Sequence, residues 1–217
     1  APAEPFAVTA ERADPGRRLR IALSFKIPFS LVPTRLDGGV RAATERLAGV
    51  VARIGHDVDG ADPPYGLWGA GAVVRSTAGL RRWNSRVAEP ALLDARTREN
   101  MRLGRVLGGP VLTAARALER PMQRRLGAIF SRFDVVLAPT TAQPPLPIGA
   151  IDGLSNWATD KVVAGACPYT WPWNLLGWPA LSVPAGLTDG GLPLGVQLLG
   201  PANSEPLLFA LAAQLEQ

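Results

Sequence analysis

Apolar positions recur along this chain with two periods, about two and about 3.6 residues, and the change of period marks its elements. Leu19-Arg-Ile-Ala-Leu-Ser-Phe25 partly alternates apolar and polar and predicts a strand, closed by a loop carrying Pro28 and Pro33. From Gly38 the period lengthens. Val40, Ala43, Leu47, Val50, Val51 and Ile54 share one stripe, with Arg41, Glu45 and Arg46 on other faces. That pattern predicts an amphipathic helix, with Gly55 placed to end it. His56-Asp-Val-Asp59 then reads as a short strand leading to Pro63-Pro64.

Residues 66–133 read as helices. Leu112, Ala115, Leu118, Met122, Leu126 and Ile129 continue one stripe towards Phe133, interrupted at Pro121. Either the helix kinks there or a new one starts with Pro121 in its first turn. Asp134-Val-Val-Leu-Ala138 is a short apolar run bounded by Pro139, as a buried strand requires. A Pro-rich loop follows. Ala180–Val183 and Leu194–Leu199 predict two more strands, separated by a turn at Asp189-Gly-Gly191. Asn203 or Ser204 is placed to cap a last helix carrying Leu207, Leu208, Leu211 and Leu215. Strands alternating with helices predict an α/β fold, a mixed sheet flanked by helices. Residues 1–18, rich in Pro and charge, read as a linker, and 19–217 as part of a single α/β domain.

Composition narrows the class of partner. A chain of 217 residues that is 47% hydrophobic is not of the disordered kind. The net charge of +5 comes from arginine; Lys26 and Lys161 are the lysines, and no arginine follows Arg132. A basic half raises nucleic acid as a partner, but no basic stripe interleaved with aromatics is present. A solvated arginine-rich surface accounts for the charge, and no nucleic-acid partner is expected. No apolar run reaches the roughly 18 to 20 residues of a membrane span, so no membrane partner is expected either. The start, Ala1-Pro-Ala-Glu-Pro-Phe6, lacks the pattern of a signal peptide, and the absence of an initiating Met fits a processed or trimmed chain or a fragment. The single cysteine, Cys167, excludes an internal disulfide framework and fits a reducing, cytoplasmic setting.

Candidate chemistry is sparse. His56 is the only histidine, and no Gly-x-Ser-x-Gly elbow accompanies it, so a structural role is expected. One His and one Cys are too few for zinc. Asp57-x-Asp59-x-x-Asp62 begins like a calcium loop, but Asp62 stands where that loop needs Gly and Trp68 where it needs Glu. Gly66-Leu-Trp-Gly69-Ala-Gly71 lacks the order of a phosphate-binding loop. No metal or cofactor is expected. Cys167 has no base beside it and reads as a small apolar residue. Trp157, Trp171, Trp173 and Trp178 lie in a Pro/Gly-rich stretch and fit either core packing or an aromatic-lined cavity.

The C-terminal third carries a denser pattern. Asn174-x-x-Gly177-x-Pro179-Ala180-x-Ser182-x-Pro184-x-Gly186 is followed by Gly191-Leu-Pro193-x-Gly195-Val-Gln197, and preceded by Asp134-Val-Val-Leu-Ala-Pro139-Thr140-Thr141. This order resembles the closing segment of the amidase signature family of amide hydrolases, and the helix from Gly38 to Ile54 is similar to another of its elements. The resemblance implies the C-terminal part of that family's α/β/α fold. It implies amide hydrolysis by a nucleophilic Ser, a second Ser and a Lys held in a Gly/Ser-rich stretch. No such stretch occurs in these residues, so no catalytic residue is assigned and the chain alone is expected to be inactive. The resemblance also implies a small amide substrate, and as partner the N-terminal half of the same polypeptide or another copy. By the same resemblance, Cys167, Tyr169, Trp171 and Asn174, with Thr140, line the substrate pocket, Tyr169 as a donor and Trp171 as an apolar wall. The segment Cys167-Pro-Tyr-Thr-Trp-Pro-Trp173 departs from the tRNA-dependent amidotransferase subunit of the family and favours its stand-alone amidases. A non-enzymatic α/β binding domain and the amidotransferase subunit are the alternatives.

Overall fold

Val135–Pro139 forms β3, among the described residues the one strand with every residue buried, and the rest of the fold is arranged around it. The computed structural model describes residues 5, 6, 8, 17–29, 32–67, 69–84 and 86–216. The linker expected over 1–18 lies almost wholly outside the described residues.

Beside β3 run β1 (Arg20–Leu23) and, beyond it, β2 (Asp57–Gly60), all three parallel. On the other side β5 (Pro193–Leu199) and β4 (Ala180–Leu187) join antiparallel, giving the order β2-β1-β3-β5-β4. The mixed sheet is as expected. Successive residues of β3 point to opposite faces, which divides the core in two. Val135 and Leu137 join Ile21, Val51, Leu198 and Leu211 on one face. That layer is covered by α1 (Gly38–Arg53) and the last helix. Val136 and Ala138 meet Met122, Leu126, Trp173 and Leu176 on the other.

Local chemistry sets the bounds. Asp37 caps α1 by accepting from the N–H groups of Gly39 at 2.8 Å and Val40 at 3.1 Å. Gly55 follows the helix at φ +105°, a conformation that side-chain-bearing residues rarely adopt. Next come α2 (Gly69–Asn84), α3 (Ala95–Val106), α4 (Pro110–Ala117) and α5 (Glu119–Gly127). The stripe across Pro121 resolves as two helices: α4 ends before Leu118, and Pro121 sits in the first turn of α5, where its missing N–H costs nothing.

Two helices occupy a segment to which the sequence pattern assigns no element. Ser155 caps α6 (Asn156–Ala166), and α7 (Trp171–Leu176) follows with Pro172 in its first turn. β4 is longer than its apolar run because the ladder continues past a bulge between Pro184 and Leu187. The last helix, α8 (Glu205–Leu215), begins after Ser204 as expected, but the Ser204 hydroxyl makes no capping bond and is buried without a partner. Among the described residues no helix is long and apolar enough to cross a membrane.

Candidate active-site wall

The C-terminal motif converges on the end of β3. Gln197, buried on β5, donates through Nε2 to the Pro139 carbonyl at 3.0 Å and to the Tyr169 carbonyl at 3.3 Å. One side chain thus ties the strand end to the segment before α7. The Thr140 N–H donates to the Gly195 carbonyl at 3.2 Å, and Thr140 Oγ1 lies 2.9 Å from Ser182 Oγ. A Cβ at Gly195 would stand 2.9 Å from Ser182 Oγ and 3.3 Å from Thr140 Oγ1, so a side chain there would have to displace this hydroxyl pair.

A hollow of about 330 Å³ opens above that pair, lined by Thr140, Thr141, Pro144, Ala166, Cys167 and Gly195. Cys167 ends α6, its N–H donating to the Val163 carbonyl at 3.0 Å. Burial pushes its thiol pKa up, which keeps it protonated and poorly nucleophilic. On the other side of Cys167 lies a partly open chamber of about 430 Å³ bordered by α2, α3, α6 and Trp171.

Of the expected pocket residues, Thr140, Cys167 and Trp171 border these two spaces. Trp171 is half-buried and packs against the core cluster around Met122 and Trp173. Tyr169 is fully buried beneath them, and its hydroxyl donates to the Phe25 carbonyl at 3.0 Å. Burial is the largest cause that pushes its phenol pKa up to about 12, and nearby Arg41 opposes the shift. Asn174 stands exposed on α7, its N–H bonded to the Thr170 carbonyl at 3.2 Å, and it borders neither space. Ser182, Gly195 and Gln197 belong to the motif but were given no site role from sequence. Their signal was present, since Ser182 and Gln197 are polar residues inside strand patterns. The α2 and α3 residues of the chamber carried no such signal.

The other candidates resolve locally. His56 is buried; Nδ1 accepts from the Leu19 N–H at 3.3 Å, and Nε2 lies 2.9 Å from Gln214 Oε1. With Nδ1 accepting, Nε2 is the protonated nitrogen and donates to Gln214. Asp57 pairs with Arg18, while Asp62 accepts from Ser24 Oγ at 2.8 Å. Among the described residues no group of three or more His, Cys, Asp or Glu is placed to hold a metal ion.

A three-layer α/β fold with a hollow at the carboxyl end of a central parallel strand is an enzyme-like arrangement. The family described as Amidase matches residues 1–209. The chain belongs to the amidase family. AmiA2 of Mycobacterium tuberculosis, a protein named as an amidase, is 50% identical over 201 residues, covering 91% of this chain and 41% of that protein. AmiB2 of the same organism is 38% identical over 210 residues, covering 96% and 45%. The chain therefore spans about two-fifths of the length of these relatives. The structure of 6-aminohexanoate cyclic dimer hydrolase superposes with a TM-score of 0.81 at 22% identity, over 100% of this chain and 48% of that one. At that identity the likeness concerns the fold.

Proposed function

We propose that this chain is the C-terminal, substrate-facing part of a stand-alone amidase, which converts a carboxylic amide and water to a carboxylate and ammonia or an amine. The observation that carries the reading is the Gln197 tie, which assembles Thr140, Cys167 and the Tyr169 segment beside one hollow. In the family's chemistry a nucleophilic Ser attacks the amide carbonyl, a second Ser and a Lys relay the proton, and backbone N–H groups stabilise the oxyanion. Those groups belong to polypeptide outside this chain. Its own residues shape the hollow. Cys167, Trp171 and Thr140 form the wall; Tyr169 supports it from below, and Asn174 faces the partner.

That partner is the N-terminal half of the same polypeptide, with another copy of the chain as the competing occupant. β4 is an edge strand, and next to it a broad trough of about 860 Å³ runs between α1 and Pro184. Unpaired strand edges associate. The proposed setting is the cytoplasm, in line with a single, protonated thiol.

A fluorophosphonate probe tests the assignment. The longer polypeptide, expressed with its upstream sequence, is labelled, and the 217-residue chain is not. Labelling of this chain by itself overturns the division of labour, and absence of labelling in the longer polypeptide overturns the activity.

A further inference from the structure

The segment that carries the wall, from Asp160 on α6 to Leu175 on α7, is gripped at both ends by the α2–α3 pair. At the far end Arg75 of α2 donates through Nη1 to the Leu175 carbonyl at 2.6 Å. That carbonyl lies in the last turn of α7, among those a helix end leaves without an intrahelical donor. The same nitrogen lies 3.2 Å from Glu119 Oε2, at the start of α5. Arg75 is 28% exposed and Glu119 33%, so this is no freely solvated surface pair. At the near end Arg96 of α3 donates through Nε to Asp160 Oδ1 at 2.8 Å, and its Nη2 reaches the same oxygen.

The gripping element is itself stiff. A Cβ at Gly104 would lie 2.3 Å from the Thr77 carbonyl oxygen, so α2 and α3 touch backbone to backbone. The gripped segment is not. α7 spans six residues and has no side-chain cap at its start, and a helix so short does not hold itself. The sheet pins the middle of the segment, where Gln197 bonds the Tyr169 carbonyl and the Phe25 carbonyl accepts from the Tyr169 hydroxyl. Cys167 and Trp171 therefore each lie between that pinned point and one gripped end.

We infer that Arg75 and Arg96 are positioning residues of the active site: from outside the hollow they set where Cys167 and Trp171 stand. Neither arginine borders the hollow beside Thr140. The inference rests on the reading of this segment as an active-site wall and adds the residues that hold it in place. The chemistry favours arginine at both positions. Arg75 serves a carboxylate and a carbonyl together, and Arg96 meets one oxygen through two nitrogens. A planar fork of donors does this with less loss of freedom than an ammonium on a flexible stem.

The test reads Cys167, the sole cysteine of this chain, in the longer polypeptide, by mass spectrometry of its own peptide after iodoacetamide treatment. Its protonated, half-buried thiol should react slowly in the parent. Arg75→Ala and Arg96→Ala should each speed alkylation about tenfold, the rise in local opening expected on losing a charge-assisted bond. In fluorophosphonate labelling the same variants should raise KI about tenfold and leave kinact within about twofold, the pattern of a wall that binds but does not react. Asp134→Asn, which lowers stability from the opposite end of β3, is the control and should leave both readouts unchanged. Should Arg75→Ala fail to fold, Arg75→Lys decides. It keeps the charge but not both contacts, so alkylation should rise about threefold. The inference is overturned if these variants leave Cys167 alkylation at the parent's rate, if Asp134→Asn speeds it as much as they do, or if alkylation rises while KI stays unchanged. Alkylation is read without catalysis, so the two readings fail separately. A longer polypeptide that takes no label sinks the amidase reading while the alkylation rates still decide whether the segment is gripped. A labelled polypeptide with unchanged alkylation sinks the grip and leaves the amidase reading standing.

Discussion

Gln197 reaches from β5 across the end of β3 to the carbonyl of Pro139, a buried bond of 3.0 Å whose second arm holds Tyr169. Two main-chain carbonyls depend on one side-chain amide. Gln197→Leu leaves both unpaired in a water-free setting, and an orphaned buried group costs about 1 to 3 kcal/mol. Chemical denaturation should show a loss of that order. The same variant should loosen the hollow more than the chamber, read as a larger rise in hydrogen exchange at Thr140 than at Leu103.

Gly104 and Thr77 give a second, steric prediction. The only space for a methyl group on Gly104 is taken by a backbone oxygen that belongs to another helix. Gly104→Ala should lower stability by about 1 to 3 kcal/mol, the range for overpacking, in spite of alanine's better helix propensity. A thermal melt measures it, and a variant at least as stable as the parent would show that α2 and α3 separate freely.

Much of this architecture is readable from the chain. The stripe from Val40 to Ile54 and the glycine after it specify α1 to within one residue, because helical period and terminator agree. β3 is equally plain, since five consecutive buried residues between an Asp and a loop have no other use. α6 and α7 were hidden by their composition. α7 spans six residues with a proline and two tryptophans, too short for a period to emerge. The site was legible only in part. The motif converges on the hollow, yet Asn174, its most conspicuous polar residue, faces outward, while Gln197 does the fastening. The chamber draws on segments from Phe29 to Trp171. No local pattern encodes such a convergence, because it arises from packing.

Asp134 sets an acid limit. The Arg20 guanidinium and N–H bond its carboxylate at 2.8 to 3.2 Å, and this holds its pKa below the ordinary 3.8. A carboxylate whose folded pKa is depressed contributes stability above the unfolded value and loses it as pH falls through the folded one. Stability should therefore drop on acidification below about pH 4. Asp134→Asn should be less stable at neutral pH and show a flatter acid limb in denaturation midpoints taken as a function of pH.

Tyr169 sets the opposite limit. Its phenol, buried and bonded to the Phe25 carbonyl, titrates at about 12 instead of 10.0. An acid that is raised in the folded state favours folding at pH values below its unfolded pKa, and the advantage disappears as pH rises through the folded one. Stability should decline between about pH 10 and 12. Tyr169→Phe should shrink that decline and, by unpairing the carbonyl, lower stability at neutral pH. A decline of unchanged size in the Phe variant would assign the alkaline limit to other groups, Tyr65 first, whose phenol is pushed higher still by burial.

β4 carries the final prediction. Among the described residues no strand lies beyond it, so one row of its backbone groups faces outward. Leu187, at its end, is 62% exposed. Natural edge strands are usually blunted by charge, yet Ala180-Leu-Ser-Val-Pro-Ala-Gly-Leu187 contains none, and Pro184 is its single blocking residue. The chain expressed by itself should therefore elute as oligomers or aggregate, and co-expression with the upstream sequence should yield one defined species. Leu187→Lys should reduce the self-association of the chain alone, since a charge at an edge opposes strand addition. A monodisperse, cooperatively melting monomer of these 217 residues would instead mean that β4 needs no partner, and the proposed division of this fold between two stretches of polypeptide would fall.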